Sequence, residues 1–322
     1  MIDLTAERIF ITGGNGFLGR ALSEHLRALG CKNLFAPRHS ETNLLDRGQI
    51  ARALTTWQPS IVIHAAARVG GIGANKANPG LFFFENMQMG LNLIEEARIY
   101  GKLKKFVQLG TVCAYPKHAK TPFREDELFD GYPEETNAPY GLAKRALLVM
   151  LNAYRQQYGF NGIFVLPVNL YGPGDNFDPD SSHVIPAMIR KFDEAKSANA
   201  PSVKLWGDGR PTREFLYVHD CARAIALATA GYDKPGPVNL GSGMEISMFD
   251  LAQTIASLTG FTGEITWDKH MPNGQPRRRL DTSRAKIEFG FTAAMRFEEG
   301  LAKTLAWWQA KNAESTRAPA AC

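Results

Sequence analysis

The chain has 322 residues, 44% of them hydrophobic and 21% charged, with a formal net charge of +5. Length and composition are those of a globular protein able to bury one large core or two modest ones. The charge is mild and no long Lys/Arg block occurs, which speaks against a nucleic-acid partner and leaves room for a basic pocket that takes a phosphorylated ligand.

No apolar run reaches the ~20 residues of a membrane span. The four cysteines, Cys31, Cys113, Cys221 and Cys322, lack metal-type spacing, so no metal site is expected. The chain opens into a strand without a signal peptide, and a reduced, cytoplasmic protein is expected.

Residues 8–12 form a short apolar run that ends on Gly13-Gly14-Asn15-Gly16-Phe17-Leu18-Gly19, as a buried parallel strand would. Residues 18–29 read as a helix stopped by Gly30. Glycines at 13, 16 and 19 between a strand and a helix give a tight turn and a helix N-terminus facing a dinucleotide pyrophosphate. Residues 33–36 read as a second strand. Arg38 and His39 follow it, with no acid before Glu41. Basic residues there accommodate a ribose 2′-phosphate, which favours NADPH. Asp46 either accepts a hydrogen bond from the adenine or caps the next helix. Residues 60–65 form another strand, and His64-Ala65-Ala66-Ala67 leaves space beside a cofactor.

Residues 86–99 read as a helix and 105–109 as a strand. The segment Leu109-Gly110-Thr111-Val112-Cys113-Ala114-Tyr115-Pro116 lies at the C-terminal end of that strand, the edge at which open α/β sheets bind ligands. Thr111 can bond a substrate carbonyl together with Tyr140. Cys113 is as readily a buried structural cysteine as a reactive one. Residues 137–158 read as a long helix stopped by Gly159. Tyr140 and Lys144 fall on one face of it, one turn apart. A lysine ammonium beside a phenol is expected to lower the tyrosine pKa and give a proton donor or acceptor near neutral pH. Leu142, Ala146, Leu147, Val149, Met150 and Tyr154 offer more apolar surface than one sheet face needs, which predicts a homodimer.

Residues 162–168 form a further strand. Alternating strands and helices imply a parallel sheet covered on both faces. After residue 169 the texture changes. Residues 171–182 read as a loop over a site, 186–195 as a helix, 203–206 and 214–218 as strands, and 220–230 as a helix rejoining the first layer. His183 alone is more often structural, but its place after this loop favours function. The fold class is α/β, a Rossmann-type doubly wound parallel sheet with a smaller C-terminal mixed α/β substrate-binding domain. Residues 1–170, with 207–235, make the NADP-binding part; 171–206 and 236–310 make the substrate-binding part; 311–322 are expected to be a disordered tail.

The segments Gly13 to Gly19, Thr111 to Pro116 and Tyr140 to Lys144 resemble the extended short-chain dehydrogenase/reductase superfamily. Val69-Gly70-Gly71-Ile72, Asn169-Leu170-Tyr171-Gly172-Pro173-Gly174-Asp175-Asn176-Phe177, Ser182-His183-Val184-Ile185-Pro186, Trp206-Gly207, Arg213-Glu214-Phe215 and Pro276-Arg277 resemble the GDP-L-fucose synthases within it. The resemblance spans residues 8–302 and implies an NADPH-dependent epimerase-reductase acting on GDP-4-keto-6-deoxy-D-mannose. It implies Tyr140, Lys144 and Thr111 as the reductive set, and Cys113 and His183 as base and acid of a 3,5-epimerisation. It implies cofactor contacts from Gly13, Gly16, Phe17, Leu18, Gly19, Arg38, His39, Asp46, Ala65, Leu109, Gly110, Lys144, Pro167, Asn169, Leu170 and His183. It implies GDP-sugar contacts from Asn169, Lys191, Trp206, Arg213 and Asn273.

Three residues depart from the family pattern. Val112 loses a hydroxyl, Lys191 replaces a common arginine and its bidentate phosphate contact, and Asn273 replaces an aspartate. The alternatives are the same chemistry, or a subset of it (4-reduction or 3,5-epimerisation only), on another GDP-4-keto sugar such as a deoxyheptose, or a non-catalytic NADP-sensing protein. Retention of the Tyr/Lys pair, Thr111, Cys113 and His183 argues against the last.

Overall fold

The computed structural model describes residues 1–271 and 273–317. The first half alternates strictly: β1 (Ile9–Thr12), α1 (Phe17–Ala28), β2 (Leu34–Phe35), α2 (Arg47–Trp57), β3 (Ile61–His64), α3 (Ile72–Ala77), α4 (Pro79–Tyr100), β4 (Lys105–Leu109), α5 (Ala138–Tyr158) and β5 (Gly162–Pro167). The second half has shorter pieces: β6 (Asn169–Tyr171), α6 (Val184–Ser197), β7 (Ser202–Trp206), β8 (Thr212–Arg213), β9 (Phe215–Tyr217), α7 (Val218–Gly231), β10 (Val238–Leu240), β11 (Ile246–Ser247), α8 (Met248–Thr259), β12 (Glu264–Asp268), β13 (Arg277–Arg278), α9 (Ser283–Phe289) and α10 (Phe297–Arg317).

Six strands form one parallel sheet in the order β10-β5-β4-β3-β1-β2. Every residue of β1, β3, β4 and β5 is buried, which is why β1, β3 and β5 read as largely apolar runs and not as alternating patterns, while β4 also buries Lys105 and Gln108. The helices α2, α4 and α5 pack side by side, as do α1, α7 and α9. Glycine in the left-handed region ends α4 (Gly101, φ +68°) and α5 (Gly159, φ +66°).

A second core lies beyond β6. Phe177, Ile189, Phe192, Leu251, Ile255 and Leu301 belong to it, and α6, α8 and α10 enclose it. Its strands are short: β7 pairs with β12, β6 with β9, and β8 lies between β11 and β13. α7 then packs on α1 of the first unit.

The structure differs from the sequence reading at several points. The helix expected at 86–99 starts at Pro79, in the first-turn position where its missing N–H costs nothing, and a short helix, α3, precedes it. The strand expected at 214–218 is β9, Phe215–Tyr217, with Val218 already helical, and Glu214 separates it from a further two-residue strand, β8. The expected tail from 311 is helical through Arg317; residues 318–322 lie outside the described residues. That helix is anchored just before it by Trp308, which stacks on Phe177 at 4.4 Å. Leu147, expected on an outer apolar face of α5, is fully buried. It packs where Gly90 of α4 leaves no side chain. Leu81, Phe83, Phe84 and Ile99 of α4 and Val149 and Tyr158 of α5 are exposed large apolar residues. Among the described residues no helix is long and apolar enough to cross a membrane.

Candidate active site

A cleft of about 1010 Å³ runs along the C-terminal edge of the large sheet and is lined from both cores. At one end β1 turns into α1. Gly13 has φ +69°, and a Cβ there would lie 2.7 Å from Ala66 Cα. A Cβ at Gly19 would collide with the Gly13 carbonyl. The Gly16 N–H donates to the Gly13 carbonyl at 2.9 Å. Gly16 caps α1 without a side-chain bond, so first-turn N–H groups face the cleft with no protein side chain in the way. Asn15 pins the turn by donating to the Ala36 carbonyl at 3.1 Å. A cradle that a single Cβ would fill, at an open helix N-terminus, fits a dinucleotide pyrophosphate.

The middle of the cleft is built by β4 and α5. Thr111 caps a short turn by accepting from the Cys113 N–H at 3.2 Å. A Cβ at Gly141 would lie 2.6 Å from the Cys113 carbonyl oxygen. The first turn of α5 therefore rests directly on the backbone of that turn, and this contact sets Tyr140 beside Thr111 and Cys113. Lys144 follows one helical turn later, buried at 1% exposure. Its ammonium is 5.9 Å from the Tyr140 ring centre.

The electrostatics correct the expectation for Tyr140. Burial raises the pKa of its phenol above the ordinary value, negative charge at Cys113 raises it further, and a hydrogen bond with Thr111 only partly offsets this. Desolvation outweighs the lysine. The shift therefore runs opposite to the one expected from the lysine alone. Burial also pulls Lys144 down to about 8.

His183 caps α6 at the end of the loop that follows β6. The Gly71 N–H donates to the Ser181 carbonyl at 3.2 Å, tying that loop to the Val69-Gly70-Gly71 segment. The imidazole is reached from the cleft, while protein atoms crowded around it lower its pKa by desolvation.

At the far end stand Lys191, Trp206, Arg213 and Asn273. Lys191 is desolvated beside Arg190, which lowers its pKa. Arg213 is pulled down to about 9 by burial and by Arg278. Trp206 is 53% exposed, with a free ring. The Asn273 carboxamide accepts from the Asp208 N–H at 3.0 Å, so it shapes the turn after β7.

The expected catalytic residues Thr111, Cys113, Tyr140, Lys144 and His183 all line this cleft. So do the expected cofactor residues, with two exceptions. Arg38 is exposed on the turn after β2, while its neighbour His39 does line the cleft. Asp46 takes the capping alternative: its carboxylate accepts from the Gln49 N–H at 3.1 Å and the Gln49 side chain at 3.0 Å. Val112 is 3% exposed and packs in the main core.

Two residues escaped the sequence reading. Arg278, 7% exposed, reaches Cys113 Sγ at 3.6 Å and Asn169 Oδ1 at 3.4 Å. It is the middle of three consecutive arginines, and only the pairing of β13 with β8 turns it inward. Glu214 is fully buried and accepts from the Gly243 and Leu280 N–H groups at 2.7 and 2.6 Å. The acid of Arg213-Glu214-Phe215, directly before the apolar Phe215-Leu216-Tyr217, was the available signal.

The family model described as "NAD dependent epimerase/dehydratase family" matches residues 9–241. The GDP-L-fucose synthase of Escherichia coli (strain K12) is 40% identical, over 95% of this chain and 97% of that protein. Among solved structures, a GDP-6-OMe-4-keto-L-xylo-heptose reductase from C. jejuni superposes with a TM-score of 0.89 at 29% identity, covering 96% of this chain and 99% of that one. A GDP-L-fucose synthetase from Naegleria fowleri bound to NADP superposes with a TM-score of 0.87 at 26% identity, covering 98% and 97%. The fold is Rossmann-type, the chain is an oxidoreductase/epimerase, and its cofactor is a nicotinamide dinucleotide.

The depressed Lys144 predicts an alkaline limb. A cation with a pKa of about 8 is charged below that pH and loses its charge above it. The profile of kcat/KM, which reports free-enzyme groups, should fall by about tenfold per pH unit beyond the limb. In Lys144→Met the residual activity should lack this limb. A wild-type profile flat from neutral pH to about 9.5 would show that the charge on Lys144 is not needed.

Proposed function

Because the chain belongs to the NAD dependent epimerase/dehydratase family and, within it, to the GDP-L-fucose synthases, we propose that it converts GDP-4-keto-6-deoxy-D-mannose to GDP-L-fucose. The observation that carries this reading is the meeting of Thr111, Cys113, Tyr140, Lys144 and His183 in one cleft whose far end holds Lys191, Trp206 and Arg213. Residues 1–170 with 207–235 hold the cofactor; residues 171–206 and 236–310 hold the GDP-sugar. Lys191 and Arg213 meet the diphosphate, and Trp206 offers a ring to the base.

The C4 ketone acidifies the protons on C3 and C5. Cys113 sulfur takes each one: the C–H bond breaks, an S–H bond forms, and the electron pair moves to the C4 oxygen. Thr111 and Tyr140 hold that oxygen by hydrogen bonds. His183 returns a proton on the opposite face. Its lowered pKa keeps it neutral in the bare cleft, and the negative charges of the diphosphate and enolate raise its affinity for the proton it must carry. A reduced nicotinamide dinucleotide held at the Gly13-Gly16-Gly19 turn would supply the hydride for C4. Tyr140, holding its proton, then protonates the C4 oxygen, with Lys144 as the cation behind it. Free thiols at Cys31 and Cys221 support a reducing compartment, the cytoplasm.

A second reading is favoured by the likeness to the heptose reductase: 4-reduction alone, on a GDP-4-keto-heptose. One experiment separates the two. Product formed in D₂O by the wild type should carry deuterium at C3 and C5. Cys113→Ser should lose this label while still oxidising cofactor slowly, and Tyr140→Phe should keep the label but lose ~10²–10⁴-fold in reduction. An unlabelled wild-type product would favour the heptose reading.

NADPH is the proposed cofactor, supported by Arg38 and His39 and by the NADP-bound relative. The ratio of kcat/KM values for NADPH and NADH should favour NADPH and should fall in Arg38→Ser/His39→Ser. A preference for NADH in the wild type would contradict the assignment.

A homodimer formed through α4 and α5 is also proposed. Phe84, Ile99 and Val149 are 56%, 55% and 55% exposed there, an apolar surface that a second copy would cover. Light scattering at micromolar concentration should give twice the chain mass, and Phe84→Glu/Val149→Glu should give one chain mass. A monomeric wild type would defeat the proposal.

A further inference from the structure

We infer that Arg278 is a positioning residue for Cys113: its guanidinium fixes the sulfur and balances negative charge on it while the ring protons are removed. This rests on the reading of Cys113 as the epimerisation base.

The placement is specific. β13 pairs with β8 so that Arg278 lies opposite Arg213. The backbone is locked there, with the Glu214 N–H donating to the Arg278 carbonyl at 2.9 Å and the Thr212 N–H to the Pro276 carbonyl at 2.9 Å. Alternation along a strand then separates neighbouring side chains. Arg277 points outward and makes two bonds to the Glu245 carboxylate at 2.8 and 2.7 Å. Arg278 points inward, and the acceptors it meets carry no formal charge: Gln275 Oε1 at 3.2 Å, Asn169 Oδ1 at 3.4 Å and Cys113 Sγ at 3.6 Å. Gln275 and Asn169 are themselves held, the first by donating to the Pro116 and Lys117 carbonyls, the second to the Glu214 carbonyl at 2.8 Å.

A buried cation costs free energy unless an anion comes to it. Of the three acceptors only the sulfur can become one. Arg213 beside it adds a second desolvated cation facing the same sulfur. The pair is therefore placed to hold the sulfur and to balance negative charge on it. Arg278 touches neither reacting carbon in this scheme; it acts through Cys113 and, through Asn169, on the wall of the cleft.

The test compares wild type, Arg278→Met and Arg278→Lys as full-length protein, with two readouts. The first needs no substrate: the rate at which iodoacetamide carbamidomethylates Cys113, followed on the Cys113 peptide by mass spectrometry. The second is deuterium incorporation at C3 and C5 of the GDP-4-keto sugar with oxidised cofactor present, together with GDP affinity by calorimetry. Arg278→Met should slow both reactions by about 10- to 100-fold, the size of a lost hydrogen bond to a charged group. GDP affinity should stay within about threefold, and Arg278→Lys should recover most of both rates. Equal alkylation rates in wild type and Arg278→Met would overturn the inference. So would loss of GDP affinity with exchange unchanged at saturation, which would make Arg278 a diphosphate contact. A wild type that exchanges nothing would remove the epimerase reading, while the alkylation comparison would still decide the role of Arg278. Arg278→Gln replaces Arg278→Met in both arms should the latter not fold.

Discussion

The cleft depends on one buried carboxylate. Glu214 has no access to solvent, and a carboxyl there is costly unless its lone pairs are filled. Backbone N–H groups of Leu280, Gly243 and Ser242 fill them, although burial still raises its pKa. Those donors come from the turn after β10 and from the segment leading to α9. A Cβ on Gly241 would press on the same carboxylate. Glu214 thereby fixes the junction of β8 and β9 against both segments. Arg213 precedes it, its N–H holds the Arg278 carbonyl, and its carbonyl holds Asn169. Two cleft side chains that are distant in sequence, Asn169 and Arg278, are placed by the hydrogen bonds of a single residue, and a third, Arg213, is its chain neighbour.

Burial also explains the charge pattern. Lys144, Lys191 and Arg213 all lie below their ordinary pKa values, with desolvation the first cause in each. Tyr140 lies above its ordinary value for the same reason. A site that gathers desolvated cations is strained until an anion enters, and a nucleoside diphosphate supplies that anion. Binding energy from the remote diphosphate then serves to order the groups around the sugar.

Much of this was legible in the sequence, for identifiable reasons. The glycine turn could be read because its constraint is steric and local: Gly13 and Gly19 have no space for a Cβ. The Tyr140/Lys144 pair could be read because a helix fixes their spacing. The buried strands could be read because both their faces are apolar. What failed was tertiary. Strands of two residues, β8 and β13, have no period to read, so the inward turn of Arg278 was invisible. The direction of the Tyr140 shift was misjudged because helical spacing reports the lysine but not the burial. Asp46 was left open between two roles, and the Gln49 N–H decided it. The tail was read from its composition, while Trp308 on Phe177 shows what holds the helix before it.

The two halves of the proposed reaction also constrain each other. Protons at C3 and C5 are acidic only while C4 is a ketone, so epimerisation must precede reduction. A tyrosine with a depressed pKa would compete as a base at the same carbonyl and blur that order. Burial raises its pKa instead, which suits the proposed role of Tyr140 as a donor, first of a hydrogen bond to the enolate oxygen and later of the proton. In the proposed scheme base work then falls to Cys113, whose sulfur has the Arg278 guanidinium at 3.6 Å. Separation of the two roles is thus a consequence of where burial is deep and where guanidinium groups are near. The same short turn, Thr111 to Cys113 under the first turn of α5, carries both.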